Sequence, residues 1–152
     1  MGYALRGLAF EQWEEGREYV TAARTVTEAD VSAFAGLSGD FNPLHTDETF
    51  ARETPFKTRI AHGMLTAAMA TGLVNGQGWF EGTTIALMEQ VFRYRAPVMF
   101  GDTIHCVVTV GERKETSKPG RGVVAYDVNV VNQDGKTVIE SRWTCMMRKG
   151  SA

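Results

Sequence analysis

The spacing of apolar positions changes about half-way along this chain. From Met64 to Val74 the residues are apolar on nearly every side of a helix, whereas from Ile85 onward apolar and polar residues alternate. A helix that is apolar all round must be buried on most of its faces. Alternation with a period of two is typical of strands that turn one face toward a core. The pattern predicts one buried helix covered by a sheet.

Several strand-like segments follow the predicted helix. They cover residues 85–92, 103–110, 123–131 and 137–147. Asp134-Gly135 lies between the last two and is a strong hairpin signal, which favours antiparallel pairing. We therefore expect an α+β fold in which the sheet wraps the helix and the polar strand faces point outward.

Shorter elements are predicted ahead of the buried helix. Residues 17–26 suit a first strand, and Thr27 with Asp30 forms a capping box that starts a helix. Glycines at positions 36 and 39 are expected to stop that helix. Either Thr46 or Asp47 can cap a second, shorter helix that ends before the proline at position 55.

An acid and a base lie in the turn between those two helices. Asp40 and His45 flank the pair Asn42-Pro43. A residue that precedes proline is driven away from the helical region, so the segment from Asp40 to His45 is predicted to be extended rather than helical. Taken singly, Asp40 is also a common turn-capping residue and His45 a common surface histidine.

A third chemical group is expected at the start of the buried helix. His62-Gly63 directly precedes Met64, so the backbone N–H of Gly63 falls at a helix N-terminus, where such groups lack an acceptor within the helix. A carboxylate, an imidazole and a free N–H together can add water to an activated carbonyl compound, or remove it.

Composition limits the classes of protein that fit. The 152 residues are predicted to form a single domain, residues 1–152, with a net charge of −2. A nucleic-acid partner is not expected, because nucleic-acid binding needs a basic excess. Cys106 and Cys145 lie far apart and fit no zinc or redox spacing, so they are predicted to be buried or half-buried thiols.

The sequence also predicts where the protein works. Residues 1–17 mix charged and apolar side chains and lack the continuous apolar core of a signal peptide. The longest nearly apolar run, residues 63–74, is too short to cross a bilayer. We therefore expect a cytoplasmic protein without a membrane partner.

Three stretches of the chain resemble one known family. The run Phe34-Ala35-Gly36-Leu37-Ser38-Gly39-Asp40-Phe41-Asn42-Pro43-Leu44-His45, the run Ile60-Ala61-His62-Gly63-Met64-Leu65, and Arg95-Ala96-Pro97-Val98 followed by Gly101-Asp102-Thr103-Ile104 carry the likeness. They strongly resemble the MaoC-like dehydratases, also called hydratase 2 or (R)-specific enoyl-CoA hydratases. The likeness covers nearly the whole chain, and the family's usual tyrosine is replaced by Phe34.

The resemblance implies a fold and an activity. The fold would be a single hot-dog domain, with an antiparallel sheet wrapped around one long central helix. Two such domains usually join their sheets edge to edge, so a homodimer or higher homo-oligomer is expected. The reaction would be reversible addition of water to a trans-2-enoyl thioester of coenzyme A or acyl-carrier protein, a step of fatty acid metabolism that uses no cofactor.

The family likeness also assigns roles to individual residues. Asp40 would act as general base on the catalytic water, and His45 would orient that water and take part in proton delivery. The backbone N–H of Gly63 would stabilise the negative charge on the thioester oxygen. Asn42 would either fix the active-site loop or contact substrate.

Residues around these groups have supporting roles in this interpretation. Ser38 and Thr71 are candidates to hydrogen-bond the Asp40 carboxylate. His62 is expected to brace the loop that presents Gly63 rather than to take part in the chemistry. His105 alternates along a strand and is interpreted as structural. Asp40, His45 and His62 lack a familiar metal-ligand spacing, so no metal is expected.

The sequence also offers candidate residues for substrate contact, each with an alternative role. Met64, Met69 and Met88 either line an acyl tunnel, where methionine adapts to different chain lengths, or pack in the core. Arg59 and the basic residues at 113–121 have the charge to meet the phosphates of coenzyme A, or belong to a solvated hairpin. Two alternatives to the hydratase stay open: a hot-dog acyl-CoA thioesterase and a non-catalytic acyl-thioester binding protein.

Overall fold

The computed structural model describes residues 4–150, which form an antiparallel sheet around a central helix. The expectation for residues 1–17 therefore lies partly outside the described residues. The helices are α1 Glu28–Ser38, α2 Pro43–Thr46, α3 Glu48–Arg52 and α4 Gly63–Gly76. The strands are β1 Glu18–Val20, β2 Arg24–Thr25, β3 Thr84–Tyr94, β4 Thr103–Glu115, β5 Arg121–Val131 and β6 Thr137–Arg148.

The sheet is antiparallel throughout, as its sequence pattern predicts. The strand order is β1-β4-β5-β6-β3, with β2 also paired to β4. Along β4, β5 and β6 buried positions alternate with less buried ones, so one face of each strand is turned to the core. Gly135 adopts a positive φ of 74° in the β5–β6 hairpin, which confirms the turn predicted there.

The central helix α4 is confirmed, and all of its sides but one are covered. Leu65, Met69 and Val74 lie in the core. Met64, Ala68 and Gly72 recur every four residues and are exposed. Residues spaced by four share one face of a helix, so the uncovered side is a single stripe of mostly small residues.

Strand β3 forms one edge of the sheet and is the least buried of the long strands. It pairs with β6 along one side only. Five large apolar side chains stand out from it or its end with 41–53% of their surface exposed, namely Ile85, Leu87, Met88, Val91 and Tyr94. The sequence predicts that one face of each strand is turned to the core. Burial of one face is weak in β3, because nothing in the described chain covers this edge.

The predicted first strand is divided into two, whereas the predicted capping box is confirmed. Residues 17–26 contain two short strands in place of one, both on β4. The capping box is confirmed, because Thr27 Oγ1 accepts from the Asp30 N–H and Asp30 accepts from the Thr27 N–H at 2.9 Å. Helix α1 runs through Gly36 and ends before Gly39, whose φ of 77° is the left-handed conformation glycine favours.

The structure corrects one local prediction that matters for the site. Residues 43–46 form one helical turn, so His45 lies in a short helix and not in an extended segment. Asn42 itself lies outside the helical region, with a ψ of 131°, as expected of a residue before proline. Proline suits the first position of a helix, however, since its missing N–H would have no partner there. The prediction was wrong because Pro43 disfavours helix only at the residue before it, and the prediction applied this effect to the residues after it.

The two cysteines are free and buried, as predicted. Burial raises the pKa of Cys106 to about 12 and that of Cys145 to about 11. Between residues 4 and 150, no helix has both the length and the apolar character needed to span a membrane.

Candidate active site

A cavity of about 570 Å³ opens beside the N-terminus of α4. Its polar lining includes Asp40, His45, His62 and Arg95. Its apolar lining includes Phe56, Ile60, Met64, Tyr94, Val98 and Ile139. The cavity therefore joins the acid/base turn, the start of the central helix and the end of β3, which lie far apart in the sequence.

His45 is held by one short hydrogen bond. Its Nδ1 lies 2.7 Å from the carbonyl oxygen of Ile60. A carbonyl oxygen can only accept, so Nδ1 carries the proton and the neutral ring keeps a lone pair on Nε2. The helical turn α2, capped by Asn42, sets the direction from which the ring approaches. This leaves Nε2 as the ring atom able to accept a proton.

Asp40 follows the end of α1 and lines the same cavity with an exposed carboxylate. Its Oδ1 accepts from the Asn42 N–H at 3.2 Å. The ligand atoms that Asp40, His45 and His62 can offer all lie within 4.8 Å of one another. The carboxylate and the His45 ring are therefore close enough to share one water molecule.

His62 is buried beneath this pair, with 2% of its surface exposed. Its Nε2 donates to the backbone carbonyl of Asp40 at 2.9 Å. Its ring lies over the His45 ring, with 3.9 Å between the centroids and 31° between the planes. Phe34 packs against the ring of His62 at 5.1 Å. His62 thus contacts both the backbone of Asp40 and the ring of His45.

The same three side chains are also candidate ligands for a metal ion, because their ligand atoms lie within 4.8 Å of one another. Two of the four ring nitrogens are already occupied, since Nδ1 of His45 and Nε2 of His62 each meet a backbone carbonyl oxygen. That no metal binds here stays a prediction.

Gly63 opens helix α4 at the cavity wall. Its backbone N–H makes no hydrogen bond within residues 4–150, and His62 before it provides no side-chain cap. The ring of Tyr94 packs closely against Gly63, and its hydroxyl lies 3.2 Å from the sulfur of Met64. The free N–H therefore points from a helix N-terminus, where the helix dipole favours negative charge.

Two of the predicted supporting contacts are corrected. Ser38 Oγ donates to the Phe34 carbonyl and accepts from the backbone N–H of Asp40, not from its carboxylate. Thr71 donates to the Ala67 carbonyl and lines a separate cavity of about 70 Å³. More than two helical turns separate Thr71 from Gly63, which places it too far along α4 to reach Asp40.

Asn42 has a structural contact of its own. Its Oδ1 accepts from the Leu44 N–H at 3.0 Å and so caps the turn that carries His45. This contact matches the loop-fixing alternative in its prediction. Contact between Asn42 and substrate stays a prediction.

The residues predicted to contact substrate lie in different parts of the structure. Met64 lines the cavity, Met69 lies in the core and Met88 is exposed on β3. Arg59 is engaged by Glu28 and Glu48. Of these side chains only that of Met64 meets the cavity.

Sequence reasoning missed the contribution of Tyr94, Phe56 and Ile139 to the cavity. Each comes from a different element, and none carries a chemical motif. The one available signal was the position of Tyr94 directly before the Arg95-Ala96-Pro97 stretch.

An antiparallel sheet around one helix, with a largely apolar cavity at the helix N-terminus, defines a hot-dog domain. A Mycobacterium tuberculosis protein described as having a double hotdog fold superposes with a TM-score of 0.82. The two are 17% identical, and the match covers 95% of this chain and 45% of that one. This likeness confirms the predicted fold.

Sequence comparison then identifies the family. Residues 10–132 match the model of the MaoC like domain, so the chain belongs to the MaoC-like family. It is 37% identical to an (R)-specific enoyl-CoA hydratase of Rhodospirillum rubrum over 91% of this chain and 90% of the relative. It is 41% identical to the (R)-specific enoyl-CoA hydratase of Aeromonas caviae over 73% and 78%.

Solved structures agree with this assignment. The X-ray structure of a protein from Archaeoglobus, described as a monoamine oxidase regulatory protein, superposes with a TM-score of 0.89 at 35% identity. The match covers 98% of this chain and all of that one.

Proposed function

We propose that this chain catalyses the reversible addition of water to trans-2-enoyl thioesters, giving (R)-3-hydroxyacyl thioesters. The observation that carries the proposal is the pairing of Asp40 with a His45 ring whose Nδ1 is occupied by the Ile60 carbonyl. That pairing leaves one carboxylate and one imidazole lone pair facing a largely apolar cavity. The names of the relatives support the same reaction and its stereochemistry.

Asp40 and His45 act together on one water molecule. The carboxylate takes a proton from the water while Nε2 of His45 accepts a hydrogen bond from its other O–H. The water oxygen forms a bond to C3 of the enoyl group, and the π electrons move toward the thioester oxygen. A proton held by the pair then goes to C2. Help of this kind contributes about 10²–10⁴ in rate.

Gly63 stabilises the charge that develops on the thioester oxygen. Its free N–H at the helix N-terminus is a donor fixed in place before reaction, which is the arrangement that stabilises such charge best. The absence of a side chain on Gly63 lets the Tyr94 ring pack against the start of the helix without displacing the N–H.

The substrate is an acyl-CoA or acyl-carrier-protein thioester. The apolar part of the cavity, with Ile60, Met64 and Val98, receives the acyl chain. Met64 is 58% exposed and flexible, so it adapts to acyl groups of different length.

The assembly is a homodimer or higher homo-oligomer in which a second copy covers β3. Exposed apolar side chains along an unpaired edge strand invite pairing with another strand. The exposed stripe of Met64, Ala68 and Gly72 allows a partner helix to approach closely. Size-exclusion chromatography with light scattering tests this, with Met88→Glu on the strand and Leu37→Glu on α1 as the matched control. Met88→Glu is expected to dissociate the assembly and Leu37→Glu to leave it intact; a monomeric wild type would contradict the proposal.

The reaction is tested by two assays run side by side. Purified protein is given crotonyl-CoA and longer trans-2-enoyl thioesters, and the enoyl absorbance and free thiol are both followed. We expect loss of enoyl absorbance, no thiol release and an (R)-3-hydroxy product by chiral chromatography. Thiol release would identify a thioesterase instead. Binding without either reaction across the whole set would identify a non-catalytic protein.

A further inference from the structure

Glu48 lies outside the cavity, yet it makes more hydrogen bonds than any catalytic candidate. It opens α3, directly after the turn that carries His45. Its carboxylate accepts from Thr58 Oγ1 at 3.1 Å to each oxygen. It also accepts from the backbone N–H of Arg59 at 3.2 Å and from Arg59 Nε at 3.3 Å. An ionised carboxylate has about four acceptor positions, and these donors occupy most of them.

Glu48 holds residues 58–60, and this segment in turn holds His45. Ile60 directly follows Arg59, and its carbonyl accepts from His45 Nδ1 at 2.7 Å. The N–H of the same residue donates to the Leu44 carbonyl at 3.3 Å. The chain from His45 to Glu48 and the chain from Thr58 to Ile60 are therefore joined at both ends, in a closed ring of hydrogen bonds.

Arg59 fixes this ring to the rest of the fold. Its Nη1 lies 2.7 Å from the carboxylate of Glu28, at the start of α1. Its guanidinium lies over the ring of Phe100, 4.9 Å from the centroid. Opposite charges and a cation–π contact thus anchor the segment from two sides, and the backbone of Arg59 has little freedom to move.

We infer that Glu48 is a positioning residue for the reaction, which acts by keeping the Ile60 carbonyl on Nδ1 of His45. This fixes the ring tautomer and leaves Nε2 free to accept a hydrogen bond from the catalytic water. The effect on catalysis rests on the proposed hydratase function, whereas the effect on His45 does not. Glu48 itself touches neither the cavity nor the substrate.

The chemistry of the contacts predicts what a neutral side chain would do. In Glu48→Gln one acceptor oxygen becomes an NH₂ donor. Both Arg59 contacts go to Oε2, whereas Oε1 accepts from Arg52 Nε at 3.4 Å. In either orientation the NH₂ of glutamine therefore faces an arginine donor, and at least one contact is lost. The contacts that remain lose the negative charge that strengthens them. The Ile60 carbonyl then gains freedom, and the His45 ring can populate the tautomer with the proton on Nε2.

The first test observes His45 directly and needs no turnover. Protein labelled with ¹⁵N at histidine is examined by NMR for the wild type, Glu48→Gln and the exposed control Glu53→Gln. We expect the wild type and the control to hold His45 with its proton on Nδ1. Glu48→Gln is expected to show a mixture of tautomers. Unchanged His45 signals in a folded Glu48→Gln protein would overturn the inference.

The second test separates positioning from simple destabilisation. We expect kcat of Glu48→Gln to fall about tenfold, as for a slightly misplaced catalytic group. Its KM should change less than about twofold, because the cavity lining is untouched. Thr58→Val removes only the hydroxyl contacts and should cost about threefold in kcat. A Glu48→Gln protein with a lower melting temperature but wild-type kcat and pH profile would contradict positioning.

Two cases need a second reading: a Glu48→Gln variant that does not fold, and a wild type that hydrates no enoyl thioester. If Glu48→Gln does not fold, Thr58→Val is judged by the same NMR and kinetic readings, with smaller changes in the same direction. If the wild type hydrates no enoyl thioester, the proposed function fails, and the NMR comparison still decides whether Glu48 controls His45.

Discussion

The ring of Tyr94 occupies the space directly in front of Gly63. A Cβ on residue 63 would lie 2.8 Å from Cε1 of that ring, closer than such atoms come in proteins. The Tyr94 hydroxyl is also held at the Met64 sulfur, 3.2 Å away. The start of α4 and the end of β3 therefore fit together only because residue 63 has no side chain.

Gly63→Ala is expected to displace the Tyr94 ring into the cavity and to lower kcat/KM by about tenfold or more, since small misplacements in a site are costly. Steady-state kinetics on an enoyl thioester measure the loss. The same substitution is then made in a Tyr94→Ala background, where the new methyl group has room. If the steric account holds, the loss is much smaller there; an equal loss in both backgrounds would contradict it.

His62→Ala is expected to lower the free energy of unfolding by about 2–4 kcal/mol, because a buried ring and a hydrogen bond to Asp40 are both lost. Urea titration followed by tryptophan fluorescence gives the value. The control is His105→Ala on β4, a half-buried site where the cost should stay below about 1 kcal/mol. Equal costs at the two positions would argue against the bracing role of His62.

Asp30 links the stability of α1 to pH. Hydrogen bonds from the backbone N–H and hydroxyl of Thr27 hold the pKa of Asp30 below its usual range. The folded state therefore gains stability from this carboxylate above the unfolded pKa of about 4, and loses it as the pH falls through the lowered folded pKa.

Asp30→Asn should cost about 1 kcal/mol at pH 7, as expected for a weakened cap. The difference from wild type should shrink as the pH is lowered below about 4. Urea titrations at a series of pH values measure it. A difference that is constant with pH would show that the Asp30 charge has no part in the cap.

The cysteines are expected to be inert in the folded protein. The raised pKa values of Cys106 and Cys145, about 12 and 11, leave both as thiols at pH 8. A thiol-specific reagent such as Ellman's reagent should therefore react very slowly with the native protein and rapidly in guanidinium chloride. Fast reaction of either residue in the native state would contradict their burial.

Local patterns account for what the sequence predicted well. The capping box at Thr27 needs only neighbouring residues, and the period of β4 to β6 is set by one buried face. The segment around Pro43 was harder, because a proline both disfavours helix before it and starts helix after it. Competing local rules of this kind are decided by the surrounding structure.

The grouping of the candidate site residues was predictable, but most of their contacts were not. Asp40, His45 and Gly63 were named from residue type and spacing, and all three line one cavity. Ser38 and Thr71 were assigned to the Asp40 carboxylate without knowledge of helix rotation and length, and neither reaches it. The cavity walls come from elements far apart in the chain, and such contacts leave no local signal.

The central claim is that Asp40 and His45 add water to an enoyl thioester. It is tested most directly by the rate of enoyl-absorbance loss for Asp40→Asn and His45→Gln, against His105→Gln as the matched histidine control. The account predicts losses of about 10²-fold or more for the first two variants, with the fold intact by circular dichroism, and wild-type rates for the control. Full activity in either Asp40→Asn or His45→Gln would contradict it.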